Sequence, residues 1–287
     1  MRKFYYKSTT IVIIGYKSRD KILKFIKKIP KNVKTIIIEN SKDYKLKKII
    51  NNKKNNIKIY LTKNNGVSSS INFASKLVKT KYFLQISPDI KFDFNNIATF
   101  YDAAKSIKKK FSALGPHFIN VNEKSHKQSN PNILIAPINS IHGSVMFIEN
   151  KTFKEIKGFD RNLFLYFEET DYCKRGSLKG FKCYQINKIK VKSKGRSISI
   201  NSKKEKNDIN NLLAWHFIWS KFYYMKKHYG YIYSIIYFIP IILRNIIKLG
   251  FHYIQGNQIE YQKYKYRFNG LTSSILGLKS SLRPKSN

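Results

Sequence analysis

The stretch Thr10–Asn40 reads TIVIIGYKSRDKILKFIKKIPKNVKTIIIEN. It opens with a β-branched run that ends at Gly15, which is typical of a strand buried on both faces of a parallel sheet. Apolar residues at helical spacing follow, and Pro30 closes that predicted helix. Val33–Glu39 repeats the pattern of a buried strand. Strand, helix and strand in one stretch predict a βαβ unit.

The same alternation continues as far as Asp89. Further strands are predicted at Ile57–Leu61 and Tyr82–Ile86, with a helix over Ser69–Val78 between them. Four strand–helix units predict an α/β fold with a Rossmann-like, mostly parallel sheet flanked by helices, in which ligands bind beyond the carboxyl ends of the strands. The chain contains neither a Gly-rich dinucleotide fingerprint nor a P-loop, which disfavours both kinds of nucleotide chemistry.

The composition indicates a folded and strongly basic protein. Hydrophobic residues make up 42% of the 287 residues, and 56 Lys and Arg against 16 Asp and Glu give a net charge of +40. Such a charge attracts polyanions, including nucleic acid, anionic lipid and phosphorylated small molecules. The lysines are scattered over almost every segment, and no zinc-finger spacing or RNP-like motif is present. Nucleic-acid binding is therefore the weaker alternative, and no nucleic-acid partner is expected.

Two sequence features bear on the compartment. Cys173 and Cys183 are too few for a disulfide framework, which favours a reducing setting. The apolar run Ile11–Ile14 near the N-terminus is too short for the core of a signal peptide. Both features predict a cytoplasmic protein.

A second stretch, Gly158–Arg175, reads GFDRNLFLYFEETDYCKR. Glu168, Glu169 and Asp171 crowd into four positions behind a run of aromatic and aliphatic residues. Carboxylates behind an apolar wall can have raised pKa values and can act as bases. The same residues also suit the acidic first turn of a helix, which complements the helix dipole. This stretch alone leaves both interpretations open.

The pattern changes at residue 207 to segments rich in aromatic side chains. A helix is predicted over Leu212–His228, and Tyr229–Phe251 is the most apolar part of the chain. The uncharged core of the latter, Tyr229–Leu243, is shorter than the ~20 residues that span a bilayer. Flanking Lys and Arg favour an amphipathic helix that lies in the interface of an anionic membrane. A helical hairpin packed on the rest of the protein is the alternative.

These landmarks together resemble the family 2 glycosyltransferases of the GT-A fold, in particular their bacterial rhamnosyltransferase-like members. The resemblance is carried by GYKS at 15–18, IIIENS at 36–41, NNG at 64–66 with Asn72, ISPDI at 86–90, IHGSVMFI at 141–148, and the stretch 158–175. It implies a GT-A catalytic domain over 1–206, with a nucleotide-sugar half at about 8–115 and an acceptor half at about 116–206. Aromatic and apolar helices would follow over 207–262, and a loose basic tail over 263–287.

The resemblance also implies a reaction. A sugar, with rhamnose as one candidate, would move with inversion from a nucleotide-diphosphate donor to a glycan or lipid-linked acceptor. The setting would be surface polysaccharide synthesis at the inner face of the cell membrane. Glu169 matches the position of the base that deprotonates the acceptor hydroxyl, with Glu168 and Asp171 in support.

The family pattern assigns further positions to substrates and metal. Gly143 and Tyr166 would contact the acceptor, and Asp89 would hold a divalent cation, Mg²⁺ or Mn²⁺, on the donor diphosphate. The positions implied to bind the donor are Gly15, Tyr16, Glu39, Asn65, Asn72, Ser87, Asp89 and Lys192.

The sequence departs from the family pattern at four positions. Glu39 and Glu169 stand where Asp is usual, Ser87 where Asn or Asp is common, and Lys192 where the pattern opens with His. A protonated lysine cannot ligate a metal. We therefore hypothesise that Lys192, with Lys194 or Arg196, supplies positive charge directly to the diphosphate. The departures also leave a second function open, that of a catalytically degenerate relative acting as a scaffold.

Overall fold

The structure is a computed structural model that describes residues 2–52, 56–121, 127–195, 198–200 and 202–284. The strands are β1 Thr9–Gly15, β2 Lys34–Glu39, β3 Ile57–Leu61, β4 Tyr82–Ile86, β5 Ile90–Lys91, β6 Phe111–Phe118, β7 Ile135–Ile138, β8 Val145–Glu149 and β9 Lys182–Ser193. The helices are α1 Arg2–Lys7, α2 Arg19–Ile26, α3 Tyr44–Asn51, α4 Gly66–Leu77, α5 Asn96–Ser106, α6 Asn150–Glu155, α7 Glu168–Leu178, α8 Lys203–Tyr229, α9 Tyr231–Ile254 and α10 Gln258–Ile275.

The strands form one mixed sheet in the order β3-β2-β1-β4-β8-β6-β9-β5, with β7 paired to β9. The four N-terminal strands β3, β2, β1 and β4 are parallel. The sheet then turns antiparallel at β8, which pairs with both β4 and β6. The predicted α/β class, with a parallel sheet built from the first four strand–helix units, is confirmed.

Alternate residues of the central strands enter two separate apolar cores. Ile11 and Ile13 of β1 pack in one core with residues of α2, α3 and α5, whereas Val12 packs in the other with residues of α4, α6 and α7. Successive side chains of a strand point to opposite faces, so each face of the sheet is covered by helices. The uninterrupted apolar runs in the sequence reflect this burial on both faces.

The chain divides into two compact units. The sheet unit comprises Met1–Asp160 and Glu169–Ser199, and the helical unit comprises Arg161–Glu168 and Ile200–Asn287. The helical unit therefore includes eight residues that interrupt the sheet unit in the sequence. The predicted division at residue 206 did not anticipate this interruption.

The helical unit is built on α8, α9 and α10. Ile218, Phe222, Phe238 and Leu271 form one small buried cluster. Among the helices in the described part of the chain, α9 alone is long and apolar enough, by length and composition, to cross a membrane.

Several element boundaries differ from the sequence predictions. The stretch 141–148 forms a strand only from Val145, so Gly143 lies in the turn before β8. The predicted loose tail from Lys263 is wrong, because α10 extends through Ile275.

Candidate active site

The carboxyl ends of β1, β2 and β3 meet at one edge of the sheet. Gly15 pairs with Glu39, and Glu39 pairs with Leu61, so the three strands end level with one another. The backbone continues this contact beyond the strands, because Asn40 N donates to Gly15 O at 2.8 Å and Thr62 N donates to Glu39 O at 2.9 Å. This edge is where a parallel sheet accepts a ligand.

Glu39 uses its carboxylate to shape the loop after β2. The side chain is 1% exposed. It accepts hydrogen bonds from Ser41 N at 2.9 Å, Ser41 Oγ at 2.5 Å and Asp43 N at 2.8 Å. Ser41 Oγ in turn accepts from Lys17 N at 3.0 Å, which joins the loop after β1 to the loop after β2. Glu39 thus positions the predicted donor site, and its direct contact with a donor stays a prediction.

An ion pair that the sequence analysis missed lies beside this loop. Arg19 donates from Nε to Asp43 Oδ2 at 2.7 Å and from Nη2 to Oδ1 at 2.6 Å. Asp43 also caps α3 by accepting from Leu46 N at 2.9 Å. Burial raises the pKa of the Asp43 carboxyl, but the hydrogen bonds from Arg19 and Leu46 outweigh it, so the pKa lies below its ordinary value. The cap position of Asp43, three residues before a buried leucine, was the available sequence signal.

Three further residues of the predicted donor site have different surroundings. A Cβ atom on Gly15 would lie 2.6 Å from Ile22 Cδ1, so a larger residue here would displace the end of the Ile22 side chain of α2. Tyr16 is half-buried directly after β1. Asn65 is exposed at the N-cap position of α4, and its side chain makes no cap hydrogen bond there.

Asp89 lies after β4 and contacts β9. Ser193 Oγ donates to Asp89 Oδ2 at 3.2 Å, and Lys194 N donates to Asp89 O at 2.9 Å. Partial burial raises the pKa of the Asp89 carboxyl, against the opposing effects of the Ser193 hydrogen bond and the Lys21 charge. Ser193 and Lys21 were not among the predicted site residues, and both lie far from Asp89 in sequence.

Lys192 is exposed and pairs in register with Lys91 on the β5–β9 ladder. The side chain from this segment that contacts Asp89 is therefore Ser193, which is adjacent to the predicted residue. Lys194 is also exposed, and Arg196 lies outside the described residues. A contact between Lys192 and a donor diphosphate stays a prediction.

The residues around Asp89 fit a metal site completed by substrate phosphates better than one built from protein ligands alone. Within the described ranges no group of three or more His, Cys, Asp or Glu side chains could hold a metal ion. Mg²⁺ at nucleotide sites is commonly bound by one or two carboxylates together with substrate phosphates and water. Asp89 supplies one such carboxylate and would depend on the diphosphate for further ligands.

Glu169 and Gly143 come together on the acceptor side, although they are far apart in sequence. A Cβ atom on Gly143 would lie 3.4 Å from Glu169 Cδ and 3.5 Å from Oε2. Glu169 is half-buried in the first turn of α7. Burial raises the pKa of its carboxyl to about 7, while its backbone amide at the helix start acts in the opposite direction. A carboxyl with this pKa exchanges a proton near neutral pH, as a general base must.

The turn that contains Gly143 is tied to the end of β4. Ser87 N donates to Ser144 O at 2.9 Å, which continues the antiparallel pairing of β4 and β8. Ser87 thus links the strand end that carries Asp89 to the turn that faces Glu169. On the other side of the turn, Ser140 Oγ donates to Thr170 Oγ1 at 3.3 Å.

Asp171 and Asn72 have structural partners. Asp171 is fully buried and accepts from Arg175 Nε at 2.7 Å, and Arg175 also donates to Ile156 O and Gly158 O. This pairing, one helical turn apart, ties the loop before α7 to the helix. The supporting role of Asp171 in catalysis stays a prediction.

Asn72 likewise holds that loop. Its Nδ2 donates to Phe159 O at 2.8 Å, and its Oδ1 accepts from Phe159 N at 2.9 Å. Both polar atoms of the amide are therefore engaged by one residue, and a contact between Asn72 and a donor stays a prediction. Gly158 has φ +62°, and a Cβ atom there would lie 2.5 Å from Asn72 Oδ1, so this position requires glycine.

Glu168 and Tyr166 belong to the helical unit. Glu168 is buried, and the ring of Tyr166 packs edge-on against Phe217 of α8 with centroids 5.5 Å apart. Tyr166 and Phe167 have φ values of 68° and 66°, which are unusual for aromatic residues and store strain immediately before α7. Their roles toward an acceptor stay predictions.

Comparison with known proteins identifies the fold. The sequence matches no family profile and no characterised protein. The structure is similar to GalNAc-T7 with UDP, GalNAc and Mn²⁺, at TM-score 0.54 and 14% identity over 77% of this chain. It is also similar to the mannosyltransferase PcManGT from Pyrobaculum calidifontis with GDP-Man and Mn²⁺, at TM-score 0.59 and 8% identity over 96% of this chain. A third similar structure is S. aureus TarS 1–349 with UDP-GlcNAc, at TM-score 0.54 and 12% identity over 96% of this chain.

The matched share of those chains differs. This chain spans 50% of the GalNAc-T7 chain, 89% of the PcManGT chain and 94% of the TarS 1–349 chain. At these identities the likeness concerns the backbone fold. The mixed sheet, flanked by helices on both faces, has the GT-A glycosyltransferase fold.

Proposed function

We propose that the protein is a glycosyltransferase that moves a sugar from a nucleotide-diphosphate donor to an acceptor hydroxyl, with Glu169 as the general base. The observation that carries the proposal is the contact between Glu169 and Gly143. A proton acceptor with a pKa of about 7 lies beside a position that has no side chain, and we propose that the acceptor hydroxyl binds next to it. The GT-A fold and the nucleotide-sugars bound to PcManGT and TarS support the donor class.

The reaction is a single displacement at the anomeric carbon. The acceptor oxygen forms a bond to that carbon, the bond from carbon to the donor phosphate oxygen breaks, and Glu169 takes the hydroxyl proton. Attack from the side opposite the leaving group inverts the anomeric configuration. The nucleoside diphosphate leaves with the bonding electron pair, so its negative charge must be stabilised.

Residues at the strand ends would bind the leaving nucleotide. We place the diphosphate near Asp89 and the nucleoside along the loops ordered by Glu39 and Asn40. A divalent cation held by Asp89 would neutralise charge on the diphosphate when bound. Lys21, whose charge acts on Asp89, and Lys192 are the cationic side chains proposed to contribute to the same neutralisation.

The finer assignments rest on the family resemblance. We propose a hexosyl donor, with rhamnose as one candidate, and a glycan or lipid-linked acceptor in the synthesis of surface polysaccharide. The corresponding location is cytoplasmic, at the inner face of the cell membrane.

A scaffold without catalytic activity is the second candidate. It is favoured by the hydrogen bonds between Asn72 and the backbone of Phe159, since Asn72 was expected to contact the donor. A scaffold would keep the fold and the nucleotide site without turnover.

A donor screen separates the two functions. Purified protein is incubated with UDP-, TDP- and GDP-sugars, Mg²⁺ or Mn²⁺, and a lipid-linked acceptor pool, and products are read by mass spectrometry. We expect one donor to give product, and Glu169→Gln to lower turnover by roughly 10²–10⁴-fold. The matched control Glu149→Gln changes a half-buried carboxylate elsewhere in the sheet unit.

The outcomes divide as follows. If Glu169→Gln turns over at the wild-type rate, Glu169 is not the base. If no donor is consumed although a nucleoside diphosphate raises the melting temperature, the scaffold function is correct. Chelation of divalent ions tests the metal: full activity in the chelator would exclude Asp89 as an obligatory metal ligand.

A further inference from the structure

The outer face of α9 carries an uninterrupted stripe of aliphatic side chains. Its members are spaced three, four or seven residues apart and therefore lie on one side of the helix; they are Ile232, Ile236, Ile239, Leu243, Ile247 and Ile254. We name these residues the apolar ridge. All six side chains are exposed to solvent. The exposed fraction is 76% for Ile232 and 85% for Ile254, which lie near the two ends of the helix. The ridge runs the length of a 24-residue helix, about 36 Å.

The opposite face of α9 is the one that packs within the helical unit. Ser234, Phe238 and Asn245 are buried there, and Phe238 contacts Phe222 of α8 with ring centroids 5.1 Å apart. Folding of the helical unit therefore buries one side of α9 and leaves the apolar ridge exposed to solvent. An exposed apolar surface of this extent marks an interaction site.

The charged side chains on α9, and those of α8 that lie over its rings, are positive. Arg244 and Lys248 are exposed on α9, which contains no acidic residue. On α8, Lys221 Nζ lies 5.1 Å from the Tyr237 ring centroid and Lys226 Nζ lies 6.0 Å from that of Tyr231. These cations accompany the ridge on the side of α8 and along α9 itself.

We infer that the apolar ridge docks on an anionic lipid surface, with α9 lying in the plane of the interface. The aliphatic side chains would enter the boundary between headgroups and acyl chains. The flanking lysines and Arg244 would meet anionic headgroups, and tyrosines beside the ridge suit the same depth. The inference rests on the proposed membrane location but not on sugar transfer, because lipid binding is measured without a donor.

Two other arrangements fit the charges less well. A second copy seated ridge to ridge would bring Arg244 and Lys248 of two chains together, each chain carrying a net charge of +40, with no acidic partner on α9. A helix that crossed the bilayer would carry Lys221, which lies beside Tyr237 and Phe238, to the depth of the hydrocarbon. Charged side chains at that depth are costly.

The experiment is vesicle flotation of the full chain, without nucleotide. Vesicles of phosphatidylcholine alone are compared with vesicles that contain about one-third phosphatidylglycerol. We expect wild-type partitioning to the anionic vesicles to exceed that to the neutral ones by about tenfold or more, and to fall in high salt. Ile236→Ser combined with Ile247→Ser should lower partitioning roughly tenfold.

Matched control variants distinguish binding through the apolar ridge from nonspecific adsorption to vesicles. Leu134→Ser combined with Leu178→Ser removes two exposed aliphatic side chains from the sheet unit and should leave partitioning unchanged. Arg244→Gln with Lys248→Gln should weaken binding to anionic vesicles more than Lys24→Gln with Lys28→Gln, which removes the same charge from α2 and its C-terminal end. Circular dichroism checks the fold, and the single change Ile232→Ser replaces the double variant if that variant unfolds.

Three results would overturn the inference. Equal partitioning of the wild type and the ridge variant would show that the ridge is not the contact. A dimer that dissociates in the ridge variant, without vesicle binding by the wild type, would assign the ridge to a second copy. Wild-type protein that stays with the vesicles through an alkaline carbonate wash would indicate a helix that crosses the bilayer. Vesicle binding without turnover would support the ridge while refuting sugar transfer.

Discussion

The sheet unit and the helical unit differ in how completely they bury the apolar side chains of their central elements. In the sheet unit Phe83 and Phe147 are fully buried, and both faces of the sheet are covered by helices. In the helical unit one face of α9 is packed and the other presents the apolar ridge to solvent. The exposed aliphatic residues of the sheet unit, such as Leu134 and Leu178, are scattered in the sequence, whereas those of α9 share one face of a single helix. Burial within its own unit does not account for that face.

The two units differ in their carboxylates as well. The sheet unit places Glu39 at the end of β2, Asp89 after β4 and Glu169 in the first turn of α7. The helices of the other unit have few acids and many Lys and Tyr residues. The proposed catalysis therefore lies in one unit and the proposed lipid contact in the other.

The largest expected effect tests the difference in burial directly. Phe147→Ala should lower the free energy of unfolding by about 3–5 kcal/mol, because it removes a fully buried ring from the core of the sheet. Phe251→Ala removes the same ring from a position that is 47% exposed on α9, and should change stability by at most about 0.5 kcal/mol. Urea unfolding measures both. Similar losses would show that the exposed face of α9 is packed in solution.

Acidification should weaken the helical unit through His216. Burial lowers the pKa of this imidazole to about 4 from 6.5, while its Nε2 donates to Leu282 O at 2.9 Å and its Nδ1 accepts from Ser280 Oγ at 3.1 Å. Between these pH values the unfolded chain binds the proton and the folded chain does not. Stability present above pH 6.5 is therefore lost as the pH falls, by up to about 3 kcal/mol.

The measurement is urea unfolding of the wild type and of His216→Gln across that range of pH. The Gln side chain can donate to the same carbonyl but does not titrate. The difference in stability between the two proteins should shrink on acidification, and a constant difference would contradict the role of His216.

Glu169 should have the opposite pH dependence in the sheet unit. Its pKa of about 7 lies above the ordinary 4.5, so between these values the folded chain holds a proton that the unfolded chain has lost. Stability is therefore lost as the pH rises through this window, by about 1–3 kcal/mol. Glu169→Gln should be more stable than the wild type at pH 8 and nearly equal to it at pH 4.5.

The same titration should appear in catalysis with the reverse sign. The wild-type kcat/KM should rise with pH through about 7, because the base must be deprotonated. A rate that is flat from pH 5 to pH 8, together with equal stabilities of both proteins, would show that the Glu169 carboxyl is ordinary.

The smallest effect is expected at Lys192. It is exposed, and Ser193 is the neighbour that contacts Asp89, so Lys192→Gln should raise the donor KM no more than about threefold. Asp89→Asn at the same strand end should lower kcat/KM far more. If Lys192→Gln lowered kcat/KM strongly, and did so in the presence of a chelator as well, the hypothesis that this lysine replaces the metal would be restored.

The sequence predicts the first four strand–helix units because their signals are local. The run from Thr10 to Gly15 and the spacing of Ile22, Phe25 and Ile26 depend on burial by neighbouring elements, and burial leaves a periodic pattern. The same reasoning fails for α10, where Lys263 and Lys265 suggest a loose tail. Most of the stability of that helix comes from packing against α8 and α9, which no short window of sequence reveals.

The candidate site was likewise predictable only in part: the sequence indicates some of its residues but not the contacts between them. Glu169 and Gly143 were both predicted from the resemblance, but their contact is a property of the folded chain. The resemblance predicts the donor as a partner of Asn72, whereas the partner that the structure shows, Phe159, lies 87 residues away in the sequence. Arg19 and Asp43 were missed because each is an ordinary surface charge until the loop after β2 brings them together.

The interruption of the sheet unit by residues 161–168 has a consequence for modularity. Leu163 of this segment packs with Trp215 and Trp219 of α8, and Ser220 Oγ donates to Leu165 O at 2.8 Å. A truncated protein that ended before α8 would leave this segment without its buried partners, immediately ahead of Glu169 in the chain. The helical unit is therefore not a contiguous C-terminal segment, and removing it from residue 200 onward would also strip residues 161–168 of their packing.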